Sequence, residues 1–165
     1  MRLPLLAVAF SLLAGPALAA AQYTYPADGF AITLPSEPTL SKTTQKAGEA
    51  TVERHDYVLD GGNGTRFVVN STAIAGAENA DEATTTKAVA ENSVKALGAT
   101  NATYTPIQLN GHQGMAVTCE SKGKQVKYRF FLISGRLYVV SGSAPAGAPY
   151  PPAFDQAFVS FHLIP

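Results

Sequence analysis

Cysteine and tryptophan are almost missing from this chain, which has one cysteine and no tryptophan in 165 residues. A single cysteine excludes a disulfide framework within the chain and a cysteine-rich zinc site. An excess of charge is also missing, because 12 basic and 12 acidic side chains give a formal net charge of zero. That balance excludes a strongly basic nucleic-acid-binding protein. With 46% hydrophobic and 15% charged residues, the chain is also not an acidic disordered protein.

No apolar run is long enough to span a bilayer, but residues 1–21 have the pattern of a signal peptide. Arg2 supplies a positive start, residues 3–13 are almost wholly apolar, and residues 17–21 offer two overlapping A-x-A cleavage sites. A membrane anchor is the weaker alternative, because about 20 apolar residues are needed to cross. We therefore expect an exported protein, periplasmic or secreted, with no membrane span. Residues 22–165 would form a single domain.

Period-two alternation predicts that most of the exported chain is β-strand. Apolar side chains alternate over residues 30–34, whereas residues 39–50 are polar and typical of a loop or a weak strand. Segments 51–59 and 65–75 are separated by a glycine- and asparagine-rich turn, so we expect a hairpin. Consecutive strands of this kind pair antiparallel by default. Four further strands are predicted at 104–109, 112–120, 125–133 and 136–143.

One long helix is predicted over residues 79–97. Asn79 is a candidate N-cap with Glu82 as its capping-box partner, and Gly98 suits the left-handed position that ends a helix. Its buried stripe is small and modestly apolar, so we expect it to pack on a sheet face. A short second helix is expected to begin at Pro152. The predicted fold class is α+β, a central antiparallel sheet of about six to seven strands flanked by helices.

Both ends of this pattern resemble PsbP-like domains. Residues 25–35 place aspartate-glycine-phenylalanine before a strand that stops at proline, and residues 135–140 place a glycine before a leucine-tyrosine strand. Residues 154–161 resemble the terminal helix of that superfamily, closed by serine-phenylalanine, and residues 110–114 resemble a tight turn of its bacterial members. The resemblance runs in order over nearly all of residues 23–164.

The resemblance implies an α/β sandwich with a central antiparallel sheet and helices on its faces. Members of the superfamily include a photosystem II extrinsic subunit, bacterial envelope proteins related to DcrB, and a nuclear Ran-interacting protein. They are mostly accessory or binding proteins, and the matching motifs form the fold rather than a catalytic site. Fold alone does not fix function, and no feature of this chain ties it to photosystem II.

Candidate metal ligands are few and scattered. His55, Asp56 and Asp60 form the one local cluster. Adjacent side chains in a strand point to opposite faces, so His55 and Asp56 cannot hold one ion, and a metal site needs three or four converging ligands. The turn at residues 60–64 has a single carboxylate, too few for a calcium loop. We therefore predict no metal site and no cofactor, and we expect these to be solvated strand residues.

A catalytic constellation is also missing. The sequence has no G-x-S-x-G nucleophile elbow. Cys119 alternates with Met115 and Val117 on one strand face, so a buried structural thiol is a simpler interpretation than a nucleophile. A hydrolase could use His55 or His112 as its base, but the sequence shows no set of nucleophile, base and orienting group. We predict no catalytic residues and no enzymatic activity.

The most unusual local composition is basic. Five cations occur within fifteen residues, two of them on one predicted strand face and the others in turns. They could form a patch for an anionic partner such as a phospholipid head group, lipopolysaccharide or an acidic protein. The simpler alternative, which we favour, is a solvated sheet face or lysines that discourage edge-to-edge aggregation. The five residues are Lys122, Lys124, Lys127, Arg129 and Arg136.

These observations predict an exported, non-enzymatic accessory domain that binds an unidentified envelope protein or another anionic envelope component, and no nucleic acid. The alternative is a carrier of a small ligand. Its pocket would lie between the helix at 79–97 and the sheet, where the small residues of the helix leave room.

Overall fold

A computed structural model describes residues 20–47 and 50–165, and a seven-stranded antiparallel sheet lies at its centre. Its strands are β3 (Thr39–Ala47), β4 (Ala50–Gly62), β5 (Thr65–Ala73), β6 (Thr100–Leu109), β7 (His112–Ser121), β8 (Lys124–Ile133) and β9 (Arg136–Pro145). Their order across the sheet is β3-β4-β5-β9-β8-β7-β6, so β9 is the middle strand and lies between β5 and β8. The predicted hairpin and four-strand meander are both confirmed.

Residues 1–19 of the predicted signal peptide lie outside the described residues, so its removal on export stays a prediction. Within residues 20–47 and 50–165, none of the helices has the length and apolar character needed to cross a membrane.

A second, three-stranded sheet packs against the first, and sequence reasoning did not separate it. It consists of β1 (Ala21–Tyr25), β2 (Phe30–Leu34) and β10 (His162–Leu163), with β2 in the middle. The alternating strand predicted at residues 30–34 therefore belongs to this smaller layer. Helix α2 (Pro152–Ser160) begins at the predicted proline and packs on the same side of the large sheet.

Helix α1 spans Glu82–Ala96, so the predicted range of 79–97 was too long at its start. Asp81, not Asn79, is the N-cap, and its carboxylate accepts the backbone N–H of Thr84 at 2.6 Å. Asparagine and aspartate are equally good caps, so residue type alone could not choose between them. Gly98 has φ of +58° after the helix ends, as predicted.

Each face of the large sheet carries its own apolar core. One core lies between the large sheet, the small sheet and α2, and contains eight buried aromatic side chains among the described residues. The other lies under α1 and contains mostly smaller side chains. The predicted α+β sandwich with helices on both faces is therefore confirmed. The buried aromatic residues of the first core are Phe30, Tyr57, Phe67, Phe131, Tyr138, Phe154, Phe158 and Phe161.

Candidate functional site

Helix α1 covers only half of its sheet face. It packs on β7, β8 and β6, which lie toward one edge of the sheet. Its buried residues are Thr86, Ala90 and Val94, which are small, so the helix lies close to those strands. On the same face, none of the described helices covers β9, β5 and β4, and their side chains line an open groove beside α1.

The groove has a volume of about 690 Å³. Ser93, Ala96 and Leu97 form its α1 wall. Its floor is apolar at the centre, where side chains of β5, β8 and β9 are buried or half-buried beneath open space. A volume in this range is typical of a small-molecule site. The apolar floor residues are Val68, Val126, Tyr128 and Val139.

Small polar side chains lie on the groove face of β9, the middle strand of the sheet. Ser141 and Ser143 of β9 both line the groove, and Ser143 lies between Arg66 of β5 and Val126 of β8 in register. A helix placed over this part of the sheet would need apolar side chains beneath it. The small polar residues therefore explain why this half of the face stays open.

Positive charge surrounds the groove. Four cations line it against one carboxylate, although the whole chain is neutral. The carboxylate is Asp56, which accepts hydrogen bonds from Arg54 Nε at 3.0 Å and from Asn70 Nδ2 at 2.8 Å. Arg54 and Asp56 therefore neutralise each other at one end of the groove.

The other three cations of the groove are Arg66, Lys122 and Lys124, and none of them forms an ion pair with any described residue. Asp60 lies opposite Arg66 in the β4–β5 register, but its carboxylate accepts the backbone N–H of Gly62 at 2.9 Å. This end of the groove therefore has an excess of positive charge.

The structure distributes the five residues of the predicted basic patch over three places. Lys122 and Lys124 line the groove. Lys127 lies on the opposite face, 2.7 Å from the carboxylate of Asp155 and over the ring of Tyr150. Arg129 is on the same side, where its Nη1 donates to the carbonyl of Phe158 in α2 at 2.6 Å. Arg136 instead reaches the buried turn before β2, where its Nη1 donates to Asp28 at 2.6 Å. Binding of an anionic partner by these residues stays a prediction.

A polar cluster centred on Asp28 was missed by sequence reasoning, which treated Asp28-Gly29 as a turn. The Asp28 side chain is fully buried between the two sheets. Its carboxylate accepts from Tyr57 Oη, from Ser71 Oγ at 3.1 Å, from His55 at 2.7 Å and from Arg136 at 2.6 Å. Four strand side chains of the large sheet thus hold the turn that precedes β2. The sequence did contain one signal for this cluster. Asp28 and Tyr138 belong to the two PsbP-like motifs at residues 25–35 and 135–140, and in the structure Tyr138 Oη donates to the Asp28 carbonyl.

The Asp28 cluster changes the protonation of its members. Burial alone would raise the pKa of Asp28, but hydrogen bonds from Tyr57, His55 and Ser71 outweigh it and lower the pKa below its usual value of 3.8. Contacts with Glu53 and then Asp28 raise the pKa of His55 above its usual value of 6.5, against a smaller opposing effect of burial. The cluster therefore favours an ionised aspartate beside a protonated histidine.

The remaining candidate residues have structural partners. His55 and Asp56 point to opposite faces as predicted, but His55 is not solvated, because Asp28 and Glu53 occupy its two ring nitrogens at 2.7 and 2.5 Å. His112 Nδ1 contacts Glu82 at 2.7 Å, so Glu82 binds the β6–β7 turn instead of capping its own helix. Cys119 is buried, and burial raises the pKa of its thiol. Among the described residues, no three metal-ligating side chains converge.

No family model matches the chain, and no curated protein is similar to it in sequence. Among solved structures, the chain is similar to the solution structure of cyanobacterial PsbP from Synechocystis sp. PCC 6803. The match covers 96% of this chain and 98% of that chain, with a TM-score of 0.54 and 15% sequence identity. Identity this low concerns the fold alone, but the match extends over nearly the whole length of both chains. The chain therefore has a PsbP-like fold.

Proposed function

We propose that this protein is an exported, non-enzymatic binding domain of the cell envelope, and that the groove beside α1 holds an anionic ligand. The observation that carries the proposal is the half-covered sheet face, where Arg66, Lys122 and Lys124 surround an apolar floor. Of the two hypotheses from the sequence, the geometry favours the small-ligand carrier over docking of a protein partner. Within the PsbP-like fold, we group the chain with the bacterial exported domains related to DcrB.

Charge and shape both support a ligand in this groove. A concave site with walls of low dielectric strengthens the field of nearby cations, and it raises the local concentration of an anion. Within the described parts of the chain, Arg66, Lys122 and Lys124 have no acidic partner, so their field is uncompensated, whereas Arg54 is offset by Asp56. A flat surface carrying the same charges would bind an anion more weakly, because solvent screens it.

A binding role also agrees with the positions of the reactive residues. The two ring nitrogens of His55 contact carboxylates, which leaves neither nitrogen to activate a hydroxyl or a water. Cys119 is buried and its pKa is raised, the opposite of what an activated thiol needs. Neither group has the environment of a base or a nucleophile.

Site-specific photocrosslinking in the intact envelope tests the proposal. A photoreactive amino acid at Val139, on the groove floor, should form an adduct, whereas one at Thr118, on the opposite face, should not. Charge reversal by Arg66→Glu with Lys124→Glu should abolish the adduct at Val139. Reversal of Lys46 and Lys87, two exposed lysines outside the groove, is the matched control and should leave it intact. Adducts from Thr118 alone would contradict the proposal.

Export is tested separately by sequencing the amino terminus of the protein recovered from a periplasmic or secreted fraction. Cleavage at the first predicted site leaves Ala20 as the first residue, and cleavage at the second leaves Gln22. Full-length protein retained in the cytoplasm would contradict the proposed location.

A further inference from the structure

We infer that the ligand of this groove is a single phospholipid molecule, with its phosphate at the Arg66–Lys124 end and an acyl chain on the apolar floor. This inference rests on the proposed function, since it names the chemistry of the ligand that the groove would hold. It follows from how charge and apolar surface are ordered along the strands.

The register of the sheet separates the two chemistries. Lys124 lies opposite Pro145 of β9, and the next residues on the groove face form a row of Arg66, Ser143 and Val126. One row further along come Val68, Ser141 and Tyr128, followed by Asn70 and Val139. Successive rows on one face are about 7 Å apart, since a strand rises about 3.4 Å per residue. Charge therefore lies at one end, and apolar surface extends away from it.

The apolar rows indicate a ligand with a hydrocarbon part. Val68, Val139 and Tyr128 are only half-buried by the protein, and they face the groove together with Leu97 of the helix wall. Placing a methylene against such a surface removes apolar area from water on both sides, and each buried methylene tightens binding by about fourfold. A small inorganic anion would leave this surface uncovered.

The cationic end indicates a phosphate in preference to a carboxylate. Arg66, Lys122 and Lys124 supply three positive charges, and the hydroxyl of Ser143 lies beside Arg66 in register. Phosphate offers several oxygens that accept from separate donors, and arginine binds it with two parallel hydrogen bonds. A single carboxylate has too few oxygens and too little charge to engage all of these groups.

The dimensions indicate one lipid molecule rather than a protein or a bilayer surface. The groove volume of about 690 Å³ lies within the range of about 300–1,000 Å³ that is typical of small-molecule sites. The apolar floor is recessed between α1 and the strands, so an acyl chain must leave the bilayer to reach it. The exposed large apolar side chains of the described residues are Leu40, Tyr104 and Val159. None of these three side chains lines the groove.

Binding to the exported form of the whole chain tests the inference, with medium-chain lysophosphatidylglycerol below its micelle concentration as the probe. Native mass spectrometry and titration should give a complex of one lipid per protein. Inorganic phosphate and a fatty acid of the same chain length should each bind at least about tenfold more weakly, because each lacks one of the two contacts.

Two variants test which part of the groove binds the phosphate and which part binds the acyl chain. Arg66→Glu with Lys124→Glu should weaken lysophosphatidylglycerol binding by about tenfold or more and reduce its salt dependence. Val68→Thr keeps the shape of the floor, and it should weaken the lipid several-fold without changing the binding of inorganic phosphate. The double reversal of Lys46 and Lys87 should change neither, and a thermal melt of each variant confirms that it is folded.

The possible outcomes separate the two proposals. Equal affinity for inorganic phosphate and the lipid would overturn the acyl contact while leaving an anion site in the groove. Equal affinity for the fatty acid and the lipid would overturn the proposed phosphate contact at the Arg66–Lys124 end. A peptide adduct at Val139, with no lipid bound, would overturn the inference but keep the groove as a binding site. If no probe binds and no groove adduct forms, both the inference and the proposed function are wrong.

Discussion

The two faces of the large sheet are built differently. The face under the small sheet and α2 is filled by aromatic rings, and the buried Asp28 cluster closes it. The face under α1 has a smaller core on one side and an open groove on the other. The first face has the larger buried core, and the second keeps a partly uncovered surface beside its smaller core. Substitutions on the two faces should therefore differ in their effect on stability.

The largest difference is expected between Phe154→Ala and Ser141→Ala. Phe154 is 2% exposed and packs on Phe67, so its truncation should lower the free energy of unfolding by about 3–5 kcal/mol. Ser141 lines the groove on the other face, and its truncation should change stability by less than about 0.5 kcal/mol. Urea denaturation of both variants measures the difference, and equal losses would contradict the comparison.

A smaller but still large difference is expected between two aspartates. Asp28→Asn removes the charge that faces Arg136 and His55 in a buried site, and should cost about 3 kcal/mol. Asp56→Asn on the groove face loses a partly exposed pair with Arg54, and should cost less than about 1 kcal/mol. Thermal melts at one pH compare them. A loss for Asp56→Asn as large as that for Asp28→Asn would show that the groove face is equally constrained.

The Asp28 cluster should also make stability depend on pH. The pKa of His55 is raised, so its contribution is complete below pH 6.5 and is lost as the pH rises through the raised value. The pKa of Asp28 is lowered, so its contribution is complete above pH 3.8 and is lost as the pH falls through the lowered value. The melting temperature should therefore be highest between these limits. In His55→Gln the decline on the alkaline side should disappear, and an unchanged decline would assign it to another group.

The smallest difference is expected between two lysines of one strand. Lys127→Ala loses a half-exposed contact with Asp155 and the ring of Tyr150, and should cost up to about 1 kcal/mol. Lys124→Ala, on the groove face, should have an effect near zero, because the Lys124 charge has no acidic partner among the residues that the structure describes. Chemical denaturation at low salt measures the free energy of unfolding of both variants. A clear decrease for Lys124→Ala would indicate that Lys124 makes a structural contact.

Local patterns predicted the elements of this fold well, and long-range pairing explains what they missed. Alternation and turn residues located the hairpin, the meander and α2, because those signals lie within a few residues of each other. The groove requires β9 to lie beside β5, and no local pattern reports that neighbour. Asp28 resembles an ordinary turn residue until Tyr57, Ser71 and Arg136 meet it from distant strands.

The basic patch illustrates the same limit. Lys124 and Lys127 are three residues apart in sequence and lie on opposite faces of β8, because side chains alternate along a strand. Composition identified an unusual number of cations but not which face each occupies. Arg54 and Arg66 are outside that stretch of sequence, yet they line the same groove as Lys122 and Lys124.

The pairing of β5 with β9 also governs the order in which the chain can fold. Strands β3 to β5 form one local hairpin unit and β6 to β9 form another, each from neighbours in sequence. In the described parts of the chain, the β5–β9 ladder, which pairs Ala73 with Arg136, is the one ladder that joins the two units into a single sheet. Closing so long a loop costs more entropy than forming either unit. We therefore expect two early units and one late joining step, and the groove floor is complete only after that step.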